Sequence, residues 1–177
     1  LGLSDNGEMV RNVLEDLVLE GKIRSYGWST DSTERAKIFS NGPNCVSIQH
    51  QLNVLEGNLE TLKICENNNL ASINRGPLAM GILTGKFTSN TTFPSDDVRS
   101  GFMNLKKGVF AERLNNVKVI SEILTSNGRT LAQGSLCWLW GKSESTIPIP
   151  GYKTAEQVIE NTKAALFGPL TVDQLKE

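Results

Sequence analysis

The chain has 177 residues, 38% of them apolar and 21% charged, with a net charge of −1; this is the composition of a folded chain about one domain long, not of a disordered tail. Its basic residues form no stripe or run, which argues against a nucleic-acid or membrane-surface binder, and its longest apolar stretch, Leu136 to Trp140, is far too short to span a bilayer. The three dispersed cysteines (Cys45, Cys65, Cys137) and the single histidine, His50, argue against a zinc site and read as buried thiols in a reducing, cytoplasmic setting.

The chain opens at Leu1 without a methionine and runs at once into a helical pattern, so it reads as part of something longer. Ser4 to Asn6 supply capping residues, and Met9, Val10, Val13, Leu14, Leu17 and Val18 recur at helical spacing, with Gly21 placed for a left-handed stop. Ile23 to Trp28 reads as a strand. Asp31-x-x-Glu34 resembles a capping box opening a helix through about Phe39. After the turn Asn41-Gly42-Pro43-Asn44 comes a second strand, Cys45 to Gln49. Leu59, Leu62, Ile64 and Cys65 mark a helix closed by Asn67-Asn68-Asn69, and Leu70 to Asn74 a third strand.

From Gly76 to about Gly108 the rhythm breaks into a long stretch rich in Gly, Pro, Ser, Thr and Asp, of the length that is usually functional or disordered. Helical spacing returns with Phe110, Leu114, Val117, Ile120, Ile123 and Leu124. Thr130 can cap a further helix carrying Leu131, Leu136 and Trp140. Ser145 to Ile149 is a fourth strand. Thr154-x-x-Gln157 is a second capping box, for a helix through Leu166, and a short helical tail follows Pro169. Strands alternating with helices imply right-handed crossovers and a parallel sheet, an α/β fold. No G-x-G-x-x-G follows the first strand. Gly81 to Phe87 only imitates a phosphate loop, with the wrong spacing and Phe87 where a hydroxyl belongs. Polar residues instead gather after each strand, at Ser29-Thr30, Gln49-His50, Asn74-Arg75 and Gly151 to Lys153, as they do at the rim of a parallel barrel.

Four runs then become recognisable: Gly21-Lys22-Ile23-Arg24-Ser25-Tyr26-Gly27-Trp28-Ser29, Ile48-Gln49-His50-Gln51-Leu52-Asn53, Arg75-Gly76-Pro77-Leu78-Ala79-Met80-Gly81 through Lys86-Phe87, and Pro148-Ile149-Pro150-Gly151 through Glu160-Asn161. In this order, and over nearly the whole chain, they resemble the second half of an aldo-keto reductase. The resemblance implies a single partial domain, 1–177, forming half of a TIM (β/α)8 barrel: its last four strands with their helices. It also implies a cytoplasmic, NADPH-dependent oxidoreductase that reduces aldehydes or ketones.

By that resemblance Ser29, Thr30 and Gln49 hold the nicotinamide carboxamide, with Thr30 standing where the family usually has Asn. Arg75 replaces an aromatic residue that stacks on the nicotinamide ring, and its charge should disfavour the oxidised, cationic ring; a solvent-facing salt bridge is the alternative for this residue. Leu78, Gly81 and Lys86 belong to the segment that wraps the pyrophosphate. Lys153 and Gln157 align with contacts to the 2′-phosphate, beside the N-terminus of the Thr154 helix, and Glu160 and Asn161 with contacts to adenine. His50, Tyr26 and the three tryptophans read as packing residues, and Thr91 to Arg99 as a loop similar to the one after the cofactor segment in bacterial members. The family's catalytic tyrosine, lysine, aspartate and histidine lie on strands before this chain begins. The resemblance therefore implies no catalytic residue and no metal here, and a chain inactive alone. The expected partners are a small carbonyl substrate and either a second copy or an N-terminal half. A non-catalytic nucleotide-binding module and a self-associating half-barrel are the alternatives.

Overall fold

In the computed structural model, which describes residues 6–176, the chain divides into two compact units. The first takes the chain to Leu52, then Glu56–Arg75 and Lys142–Ile149; the second takes Asn53–Leu55, Gly76–Gly141 and the chain from Pro150.

The first unit is a parallel sheet with helices against it. Helix α1 spans Gly7–Leu19, β1 Tyr26–Ser29, α2 Thr33–Ser40, β2 Cys45–Asn53, β3 Glu56–Gly57, α3 Leu59–Asn67, β4 Ala71–Arg75 and β5 Thr146–Pro148. The sheet order is β1-β2-β4-β5, with the short β3 on β2, and the β1–β2, β2–β4 and β4–β5 pairs are all parallel. Side chains alternate across the strands. Ile48 packs with Ala36, Phe39, Ile64, Cys65 and Leu70 under α2 and α3, and burying a side chain such as Phe39 contributes roughly 1.5–3 kcal/mol. The opposite register of the same strands, with Gln49 and Gln51 on β2 and Arg75 on β4, stays only partly buried.

The helix stops and starts follow local chemistry. Gly21 takes the left-handed conformation (φ 71°) that ends α1. At the other end Asn6 stands at the N-cap position without a capping side-chain bond; Ser4 and Asp5 lie outside the described residues. The expected Asp31–Glu34 box is corrected: Ser32 is the N-cap of α2, accepting from Arg35 N, while Asp31 is engaged elsewhere. At α3, Asn58 accepts from Glu60 N and Thr61 N. A clamp beneath the strands ties α1 to the sheet. The Tyr26 hydroxyl donates to Glu15, whose other oxygen accepts from Asn44 Nδ2 at 2.6 Å. Burial pushes the Tyr26 hydroxyl's pKa up, and the Glu15 carboxylate pushes it further.

The second unit is helical around the long loop. Helix α4 spans Val109–Thr125, α5 Leu131–Lys142 and α6 Ala155–Lys163, with 3-10 turns at Ala79–Thr84, Val98–Gly101, Ser126–Gly128 and Ala164–Leu166. The expected helical tail is a run of turns. Helix α5 is buried nearly all round from Leu131 to Leu139, against Ile82, Leu83, Leu114, Val117, Leu124 and Ala164. Thr130 caps its N-terminus as expected, and Gln133 returns the bond. Gln133 N donates to Thr130 Oγ1 at 3.2 Å, and Thr130 N to Gln133 Oε1 at 2.9 Å. Gly134 lets α5 lie directly on α4: a Cβ there would fall 2.0 Å from the Leu124 carbonyl oxygen. The buried Arg129 donates from Nε to that same oxygen at 3.1 Å. All three cysteines are buried and unpaired.

Candidate functional site

Each unit gathers some of the sequence-predicted residues. In the first, the parallel register sets Ser29 opposite Gln49 and Gln51 opposite Arg75. Gln49 Nε2 donates to Ser29 Oγ at 2.9 Å, joining an amide in the middle of β2, which runs on past the expected end at Gln49 to Asn53, to a hydroxyl at the end of β1. Thr30 is tied into the backbone: its N–H donates to Gln49 O at 2.8 Å, and its Oγ1 accepts from Ser32 N at 3.1 Å. Its hydroxyl therefore serves the entry into α2. Arg75 donates from NH1 to Gln51 Oε1 and from NH2 to Asp31 Oδ2, and Asp31 Oδ1 accepts from Gln51 N at 2.7 Å. Partial burial works against ionisation of Asp31, but the hydrogen bonds from Gln51 and Arg75 outweigh it and hold the carboxyl below its usual range. His50, on the opposite register, is fully buried with Nε2 2.8 Å from Ser72 Oγ. Burial lowers its pKa and makes it a packing residue.

In the second unit the loop after β4 turns through three consecutive positive-φ residues, Ala79 (47°), Met80 (54°) and Gly81 (100°). Two of these are not glycine, a conformation that costs roughly 1–2 kcal/mol per residue and must be held by neighbours. Arg99 holds it. Its NH1 donates to Met80 O at 3.0 Å, and its guanidinium lies 4.6 Å from the Phe93 ring centre and 5.4 Å from that of Phe87. Asp97 grips the same guanidinium through two bonds of 2.6 and 2.9 Å. Those bonds and the adjacent positive charges hold its carboxyl well below the usual range. A Cβ on Gly81 would come 2.9 Å from Phe87 and 3.2 Å from Arg99, so only glycine fits this turn. Leu78 is buried in the core with Ile82 and Leu83 and can offer a ligand only its backbone, whereas Lys86 is exposed.

Helix α6 supplies the remaining residues. Thr154 Oγ1 accepts from Gln157 N at 3.4 Å. Gln157 does not return the bond to Thr154 but accepts from Lys153 N at 2.6 Å. Lys153 Nζ lies 3.7 Å from Asp97 Oδ2 and is exposed. Glu160 is half-buried and its carbonyl accepts from Gln133 Nε2 at 3.1 Å; Asn161 is buried. Asp31, Gln51, Asp97 and Arg99 are the site neighbours that pattern reading missed as individual residues. Asp97-x-Arg99 beside a glycine-rich loop was the available signal for the last two. Among the described residues no group of three or more His, Cys, Asp or Glu side chains could hold a metal ion, and no helix is long and apolar enough to cross a membrane.

The family model for the aldo/keto reductase family matches residues 7–177. The chain belongs to that family. Among its relatives, the aldo-keto reductase yakc [NADP(+)] of Schizosaccharomyces pombe is 32% identical over 170 residues, which are 93% of this chain and 48% of the relative. The aldo-keto reductase YhdN of Bacillus subtilis is 28% identical over 92% of this chain and 56% of its own length. In structure, the chain is similar to the glycerol dehydrogenase AKR11B4 from Gluconobacter oxydans, with a TM-score of 0.83 and 28% identity over 99% of this chain and 54% of that one. This member of the family thus spans about half the length of the relatives it matches, and its parallel α/β fold is theirs.

Proposed function

We propose that this chain is the C-terminal, cofactor-binding half of an NADPH-dependent reductase of aldehydes or ketones, four strands of an eight-stranded barrel. The observation that carries the reading is the Gln49–Ser29 pair, between the end of β1 and the middle of β2 on the partly buried face of the sheet, because an amide and a hydroxyl together match a carboxamide, which needs both a donor and an acceptor. The other residues fit the rest of a dinucleotide. The turn through Gly81 has no room for a side chain, and such a backbone can approach phosphate oxygens closely. The exposed Lys153 ammonium, 3.7 Å from Asp97 Oδ2, and the positive end of the α6 dipole suit a 2′-phosphate. The name of the S. pombe relative points to the same cofactor.

When bound, that cofactor supplies the hydride that reduces a carbonyl carbon. By the family resemblance, Ser29 and Gln49 of the first unit would hold the carboxamide; in the second unit, taken by itself, the Gly81 turn, Lys86 and Lys153 would serve phosphates, and Glu160 and Asn161 the adenine end. Carbonyl reduction also needs an acid for the developing alkoxide. Tyr26 cannot serve, because its hydroxyl is buried and committed to Glu15. The chain alone is therefore a binder, and turnover belongs to its pairing with the N-terminal half of a reductase of this family.

The test is a fluorescence titration of NADPH into this chain, alone and mixed with such an N-terminal half. Saturable binding by the chain alone, with aldehyde-dependent NADPH oxidation only in the mixture, is the expected result. Absence of saturable binding up to millimolar NADPH would defeat the reading. Binding without turnover in the mixture would favour a nucleotide-binding module.

A further inference from the structure

We infer that Asp31 sets the preference of this site between oxidised and reduced nicotinamide by neutralising a stacking platform made by Arg75. The inference rests on the nucleotide-binding reading and goes beyond it. Gln49 and Gln51 lie two residues apart on β2, so they share one face about 7 Å apart. The register therefore places the Ser29–Gln49 pair and the Gln51–Arg75 pair side by side on the partly buried face of the sheet. A planar ring whose carboxamide met Ser29 and Gln49 would lie within reach of Arg75.

The guanidinium there is clamped. Gln51 takes one terminal nitrogen and Asp31 the other, and Asp31 is itself anchored by the Gln51 backbone N–H at 2.7 Å. Two acceptors fix the plane of a flat, delocalised cation, the kind of surface on which an aromatic ring stacks. A bare guanidinium would repel the cationic oxidised ring and not the neutral reduced one. Two unit charges about 4 Å apart interact, even at the dielectric constant of water, by an amount worth roughly fivefold in a binding constant. The Asp31 carboxylate in direct contact with Arg75 cancels that monopole. The salt bridge expected as the alternative for Arg75 is present, and it bears on the expectation that the charge of Arg75 penalises the oxidised ring. As folded, the platform is an ion pair with no net charge, and Asp31 is the residue that holds it so. Asp31 acts through Arg75 and is a positioning residue.

The experiment measures dissociation constants of NADP+ and NADPH for the full chain by titration calorimetry. Asp31→Asn leaves the cation uncompensated and is expected to raise the NADP+/NADPH ratio of constants roughly fivefold or more. Arg75→Gln leaves the carboxylate uncompensated and is expected to lower the ratio by a similar factor. Asp31→Glu and the double variant D31N/R75Q are expected to stay within about twofold of wild type. A purely structural role would weaken both nucleotides together and leave the ratio still, so opposite movements in the two single variants identify the charge effect. If Asp31→Asn does not fold, Arg75→Gln alone decides. Binding of both nucleotides with a ratio that neither substitution moves would overturn the inference and leave the nucleotide reading intact. Failure of the wild-type chain to bind either nucleotide would instead defeat the nucleotide reading.

Discussion

Replacing Gly134 with alanine would drive a methyl group into the carbonyl of Leu124. The added carbon would sit 2.0 Å from that oxygen and 2.6 Å from its carbon, where about 3.3 Å is an ordinary carbon–oxygen contact. Helices α4 and α5 would have to separate by more than 1 Å locally, roughly the overpacking that costs about 1–3 kcal/mol in a core. The Leu124 oxygen is also the acceptor for buried Arg129, and loosening that charge-assisted bond adds about 1.5–3 kcal/mol. Against this stands the helix-propensity gain of alanine over glycine, about 1 kcal/mol. The net loss is about 2–4 kcal/mol, which lowers the melting temperature of a chain this size by roughly 10 °C. Gly101, where nothing lies within 4 Å of the ideal Cβ, is the control, and Gly101→Ala should melt with wild type. Thermal unfolding followed by far-ultraviolet circular dichroism reads both. A Gly134→Ala protein that melted within about 2 °C of wild type would refute the account of the α4–α5 contact.

Lys153→Ala should weaken NADPH binding roughly tenfold and NADH binding much less, because only the former carries the 2′-phosphate; paired fluorescence titrations check it. Burial works against ionisation of Glu15, but hydrogen bonds from Tyr26 and Asn44 prevail and depress its pKa. Its contribution to stability is thus fully present above the ordinary glutamate value and is lost as pH falls through the depressed one. Urea unfolding of wild type and Glu15→Gln across that range should converge at the acid end, and a constant gap between them would count against the clamp. The outer strands β1 and β5, with Ile147 and Ile149 exposed on and beside β5, should make the isolated chain self-associate or take up a complementary half. Sedimentation velocity showing a clean monomer at tens of micromolar would contradict this.

What could be read from the sequence was whatever local chemistry determines. The 3.6-residue spacing from Met9 to Val18, the left-handed Gly21 and the cap at Thr130 all depend on neighbours within a turn or two, and each stands as the pattern implied. Elements that depend on distant partners were less legible. Strand β2 runs on to Asn53, although Gln49-His50-Gln51 is too polar to look like a buried strand; pairing with β4 extends it, and Ser72 lies within hydrogen-bond distance of His50 Nε2. The first strand begins only at Tyr26, later than its apolar residues suggested. Asp31 looked like a helix cap because aspartate favours that position, yet its partner Arg75 lies 44 residues away. Ser29 and Gln49 were legible one by one through the family resemblance, but the bond between them was not, because the register of β1 on β2 sets it. The grip of Arg99 on Met80 was not, since it closes a loop with no period of its own.

The three thiols carry a practical consequence. Cys65 and Cys137 have no accessible surface and Cys45 only 6%, and burial raises all three pKa values, that of Cys65 to about 11. Maleimides and iodoacetamides attack exposed thiolates, so the native fold should be silent to them. A fluorophore or spin label attached to one cysteine introduced on the surface would then report from that position alone, with no need to engineer the natural thiols away.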